Sequence, residues 1–128
     1  MSDSFRTPLG RVRGLGSAKK GAHHWWMQRV TAVALIPLVV LFTAYLVMLT
    51  GQDWDVVYYV LGRPTAALIT TLLVVALFWH LSLGLQVVIE DYVHDEWIKL
   101  IGILAVKFAC IFVGGACIFA ILSMAIGG

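Results

Sequence analysis

The side chains with the most chemical reach lie in one stretch, Phe78 to His94, written FWHLSLGLQVVIEDYVH. His80 is the one titratable group in the apolar run from Thr65 to Ile89, and Asp91, Tyr92 and His94 follow where that run ends. On a helix turning about 100° per residue, His80 and Asp91 return to nearly the same face, roughly 17 Å apart along the axis. Gly84 falls on that face between them and leaves a notch where a flat group could approach the backbone. A deep imidazole, a missing side chain and an acid–phenol pair thus share one stripe.

An imidazole at such a depth has several uses. It can hydrogen-bond a serine or a carbonyl on a neighbouring helix, for a gain of around a kilocalorie or less. It can belong to a proton path. It can ligate haem iron, which takes a neutral imidazole, a flat cavity and a second axial ligand. The chain has no second deep histidine, so a bis-imidazole site would draw one from another subunit.

The elements that must position these groups follow from composition. Of 128 residues, 61% are apolar and 12% charged, outside the range of soluble globular proteins. A bilayer core of about 30 Å takes roughly 20 apolar residues to cross. Three stretches qualify: Val30 to Thr50 and Thr65 to Ile89, both without charge, and Leu100 to Ile126, whose one charge is Lys107. The expected fold is an all-α membrane protein with three transmembrane helices, at about residues 28–50, 65–90 and 100–126. A basic, glycine-rich segment, residues 1–24, precedes a membrane domain over 25–128. Arg6, Arg11, Arg13, Lys19, Lys20 and Arg29 stand before the first span, against Arg63 alone in the first connection. Basic residues concentrate on the cytoplasmic side, which predicts an inside N-terminus and an outside C-terminus. The full-length first span argues against removal as a signal peptide.

Each remaining feature has a plain reading. The basic segment is a solvated flank or a docking strip for a cytoplasmic protein. Trp25 and Trp26 are interfacial anchors, with His23 and His24 as interface residues beside them. Arg29 either snorkels to the headgroups or turns inward to an anionic or carbonyl-bearing ligand. Pro37 is expected to bend the first helix. The segment with Trp54, Tyr58 and Tyr59 reads as an interfacial turn or short helix. Gly114 and Gly115, with alanine pairs at 105/109 and 116/120, mark the third span as built for close packing. Lys107, about two turns inside, costs up to ~3 kcal/mol unless it snorkels or finds an acid. Cys110 and Cys117 stand about 10 Å apart on one helix, too far to bridge. His94 is a loop histidine or a proton relay.

The segment from His80 through Gly84 to Asp91-Tyr92 resembles the histidine–glycine–aspartate–tyrosine signature of the small hydrophobic membrane anchor subunit of succinate dehydrogenase (complex II). The stretch Gly16 to Ala32, with His23-His24-Trp25-Trp26 and Arg29, resembles the start of the first helix in the same family, most closely in alphaproteobacteria. Length, span number and predicted orientation agree. The resemblance implies a subunit of succinate:quinone oxidoreductase in the tricarboxylic acid cycle and respiratory chain, set in the bacterial inner membrane. This chain would itself lack the succinate-oxidising site. The implied partners are a flavoprotein, an iron–sulfur protein, a second three-helix anchor (the cytochrome b subunit) and membrane lipid, with no nucleic acid. It further implies a haem b shared between the two anchors and a ubiquinone-reduction site near the cytoplasmic face.

By the same resemblance His80 matches the haem ligand, Gly84 the point of haem approach, Tyr92 the donor to a quinone carbonyl and Asp91 its neighbouring acid. Arg29, carried by position and chemistry, would serve the haem propionates or the quinone. Two rival readings keep the fold: a small proton-conducting subunit with His80 and Asp91 as its wire, and a haem-free structural anchor.

Overall fold

The computed structural model describes residues 15–127, with side chains from residue 21 onward. Four helices account for nearly all of it: α1 (Leu15–Leu49), α2 (Trp54–Leu61), α3 (Pro64–Tyr92) and α4 (Glu96–Gly127). Three are long and apolar enough to cross a membrane, over Gly21–Leu49, Pro64–Tyr92 and Glu96–Gly127. The expected all-α, three-span architecture is observed. The second and third spans fall within a few residues of their expected bounds, whereas α1 begins at Leu15, well ahead of residue 28. Alanine and lysine carry that extra length as good helix formers. Most of the basic segment expected to dock a partner, residues 1–14, lies outside the described residues.

The turns follow from backbone chemistry. Gly51 adopts φ +80°, a left-handed conformation that ends α1. Asp53 stands at the N-cap position of α2, the short helix expected in the first connection. Pro64 opens α3 at a position whose N–H would be unpaired anyway. Between α3 and α4 the chain turns on three residues, and Asp95 Oδ1 accepts from the N–H groups of Trp97 (2.9 Å) and Ile98 (3.2 Å). That cap satisfies donors the start of α4 would otherwise leave open. Gly62 brings α2 against the end of α4, where an added Cβ would stand 2.7 Å from the Met124 carbonyl oxygen. Helix α1 passes through Pro37 without a break.

Helix α3 is the axis of the bundle, packed against α1 on one side and α4 on the other. Its most apolar window is 17% buried within the chain, compared with 6% for α4 and none for α1. The small core between α3 and α4 gathers Ala67, Val74 and Ile121, with Phe78, Cys117 and Ile118 against it. Gly114 belongs to this contact: an added Cβ would meet the Phe78 ring at 3.4 Å. The alanines at 105, 109, 116 and 120 face outward instead. So little burial leaves most of the span surface to lipid or to other subunits.

Candidate functional site

Because α3 is a single helix from Pro64 to Tyr92, the stripe read from spacing survives folding: His80, Gly84 and Asp91 share a face, with Tyr92 about 100° around from Asp91 at the helix end. Asp91 and Tyr92 are exposed, Tyr92 at 79%. His94 is exposed in the turn that follows.

His80 is half-buried and faces α1, where its Nδ1 lies 3.1 Å from Thr31 Oγ1. Thr31 is 5% exposed, the buried polar residue of the described chain. Its one hydroxyl proton has its shortest acceptor in the Met27 carbonyl at 2.7 Å, the back-bond common to helical threonines. With that proton on a backbone carbonyl, Oγ1 can accept from the Nδ1–H tautomer of His80, which would leave the lone pair of the neutral ring on Nε2. Nε2 makes no hydrogen bond among the described residues. The contact orients the ring against α1, and the Nδ1–H tautomer it accommodates is the one in which Nε2 keeps its lone pair.

Two further polar residues continue this seam along α1. An added Cβ on Gly84 would meet Gln28 Nε2 at 3.6 Å, so the notch faces the Gln28 amide. Gln28 Oε1 and His24 Nε2 are buried without a hydrogen-bond partner. His24, Gln28 and Thr31 occur at i, i+4 and i+7, one face of α1. Sequence reasoning passed over Thr31 and Gln28 and read His24 as an interface residue; the available signal was that spacing of three polar side chains at the start of an apolar span. Arg29 lies elsewhere: it is exposed, and its guanidinium stacks 5.3 Å from the Trp25 ring centroid, away from the His80 face. Cation–π stacking against an interfacial tryptophan matches the snorkelling alternative.

An open cleft adjoins this seam on the α4 side of α3. A cleft of about 690 Å³ runs between α3 and α4, lined among others by Phe78, Ser82, Gln86, Lys107, Gly115 and His24. Lys107 has no ion pair among the described residues, where the one salt bridge is Lys99–Glu96 at 3.5 Å. Cys110 is buried and Cys117 partly buried, both free thiols. The described residues include no cluster of three or more His, Cys, Asp or Glu side chains able to hold a metal ion by themselves. Any iron at His80 would need further ligands from beyond the described residues.

Three long apolar helices with a half-buried histidine inside one of them define a multi-pass helical membrane protein. Residues 3–114 match the family model described as succinate dehydrogenase/fumarate reductase transmembrane subunit, and the chain belongs to that family. It is 35% identical over 108 residues to the succinate dehydrogenase hydrophobic membrane anchor subunit of Rickettsia bellii, covering 84% of this chain and 86% of the relative. The Paracoccus denitrificans protein of the same name is 34% identical over 123 residues, 96% of this chain and 95% of the relative. A succinate dehydrogenase membrane anchor subunit from Reclinomonas americana is 32% identical over 96 residues, 73% of this chain and 80% of the relative. No solved structure matches the chain.

Proposed function

We propose that this chain is the small membrane anchor of a succinate:quinone oxidoreductase, holding haem b together with a second anchor subunit and forming part of the ubiquinone-reduction site. The observation that supports the reading is the Thr31–His80 contact at 3.1 Å, which orients a half-buried imidazole and, in the Nδ1–H tautomer, would leave Nε2 free to coordinate. The half-buried, oriented imidazole of His80 fits the group and would hold it through Nε2, with a further ligand drawn from a second anchor subunit. Haem b bound there supplies one-electron storage.

The polar end of α3 serves a different need. Reducing a quinone takes two electrons and two protons, so its carbonyl oxygens need donors with access to water. Tyr92 offers a phenolic O–H at the exposed helix end, and Asp91 beside it orients that phenol or links it to solvent. Arg29 is on Trp25, and its contribution is membrane anchoring and positive charge at the same face rather than contact with the His80 stripe. That charge, with the basic residues before it, supports an N-terminus in the cytoplasm and a C-terminus outside, in a bacterial inner membrane as the family's relatives suggest. The flavoprotein and iron–sulfur subunits then dock on the cytoplasmic face, and succinate oxidation takes place there, not in this chain.

The reading is tested by the reduced-minus-oxidised visible spectrum of the purified complex, wild type beside His80→Ala. A low-spin b-type signal is expected in the wild type and its loss, or conversion to high spin, in the variant. An unchanged spectrum removes His80 as a ligand. A proton-conducting reading has one observation in its favour, the polar run His24, Gln28, Thr31 and His80. Against it stands the Thr31 proton, held by the Met27 carbonyl and so withdrawn from relay. Proton flux in liposomes that survives in wild type and vanishes in His80→Ala, with no haem in either, would favour that alternative.

A further inference from the structure

We infer that the cleft between α3 and α4 is a binding site for one anionic phospholipid, with its phosphate on Lys107 and an acyl chain lying past Gly115. On α3 the site is set around the helix from the His80–Gly84–Asp91 stripe, and His24 of α1 is where its lining meets the His80 seam. Ser82 and Gln86 stand about 200° and 240° around the helix from His80. A subunit that completes the His80 face therefore need not cover it.

The lining is graded. His24, Gln86, Ser82 and Lys107 occupy the part nearer the α3–α4 turn, and Val74, Phe78 and Ile118 the part toward the middle of the span. A polar mouth over an apolar floor has the shape of a headgroup with its tail. The volume, about 690 Å³, lies within the roughly 300–1,000 Å³ of sites that enclose small molecules.

Charge selects among lipids. Lys107 is ten residues beyond Trp97, an exposed interfacial aromatic, or about 15 Å along the axis. Its four-carbon stem spans less than half of that distance, so the ammonium stops short of the headgroup level unless an anion comes down to it. No carboxylate pairs with it among the described residues. Glu90, the nearest acid on that side of α3, already accepts a hydrogen bond from Gln86 Nε2 at 3.0 Å. The ammonium, the Ser82 hydroxyl and the second N–H of Gln86 are donors, which a phosphodiester satisfies and a neutral acyl chain does not. The apolar floor excludes free phosphate as the occupant. Gly115 keeps the groove open: an added Cβ there would meet nothing within 4 Å.

The test is native mass spectrometry of the whole purified complex, delipidated and then exposed to nanodiscs of phosphatidylglycerol or of phosphatidylcholine. Wild type is expected to retain one phosphatidylglycerol with a preference of roughly fivefold over phosphatidylcholine, the scale of one basic residue near a membrane surface. Lys107→Gln removes the preference and Lys107→Arg keeps it. Gly115→Leu, which fills open space without a clash, lowers retention of both lipids. Inorganic phosphate fails to displace the lipid. The proposal is overturned if wild type and Lys107→Gln retain the two lipids alike, if phosphate competes, or if a carbodiimide joins Lys107 to a carboxylate of another subunit. Subunit composition and the haem spectrum, read on the same samples, report separately on assembly.

Discussion

The two faces of α3 are built on different physics. Toward α1 the contact is directional, with a buried hydroxyl 3.1 Å from an imidazole nitrogen and a glutamine amide beside the Gly84 notch. Toward α4 it is steric: a glycine against a phenyl ring, a few small apolar side chains, then an open cleft. Within lipid, apolar contact by itself brings little net gain, because the tails are as apolar as leucine. Close packing and hydrogen bonds are what remain, and this chain uses one on each side of a single helix.

The largest effect is expected on the steric side. Gly114→Leu would drive a branched side chain into the Phe78 ring, which an added Cβ already meets at 3.4 Å. Overpacking of this kind costs about 1–3 kcal/mol. Gly115→Leu, one residue on, enters open space and should change stability by a few tenths at most. Thermal transitions of the two variants in detergent, followed by circular dichroism, should differ by several degrees. Equal transitions would mean that α4 is held by something other than the Phe78–Gly114 contact. The directional side should respond less in energy and more in specificity. Thr31→Val keeps the shape but leaves His80 Nδ1–H without its acceptor, a cost of about 1–2 kcal/mol. Thr31→Ser should restore it. In the assembled complex the valine variant is also expected to raise the haem midpoint potential, since an imidazole that no longer donates through Nδ1–H is a weaker base toward iron. A potential unmoved in the valine variant would leave Thr31 as a packing residue only.

How far the sequence alone reached divides along the same line. Span number, the short helix in the first connection and the His80–Gly84–Asp91 stripe were legible, because each depends on periodicity or hydropathy within one segment. The partners of that stripe were not, because which residue of α1 faces His80 depends on the register between two helices, and neither helix encodes it alone. Thr31 sits in an apolar run where threonine is unremarked, yet it makes the contact that matters most. Arg29 was read by its distance from the membrane boundary, whereas its direction around the helix puts it on Trp25. Asp95 was readable and was passed over: an acid followed by Glu96 immediately before an apolar run is a helix-start pattern. The early start of α1 was obscured by its glycines, which lower helix propensity without forbidding a helix.

The smallest expected change separates what the chain needs from what a haem bound at His80 would need. At Gly84 an added Cβ would stand 3.6 Å from Gln28 Nε2, an ordinary contact with the end of a flexible side chain. Alanine also gains up to about 1 kcal/mol of helix propensity over glycine. Gly84→Ala should therefore leave the isolated chain as stable as before, or more stable by a few tenths of a kilocalorie. If Gly84 is the point where haem approaches the backbone, the same substitution in the complex should lower haem content relative to protein, read as pyridine haemochrome per flavin. Full haem content would place the group against another part of the His80 face and return Gly84 to its contact with Gln28. Loss of stability in the isolated chain would show instead that the α1–α3 seam is tighter than that contact distance implies, and that its polar residues have no slack to yield.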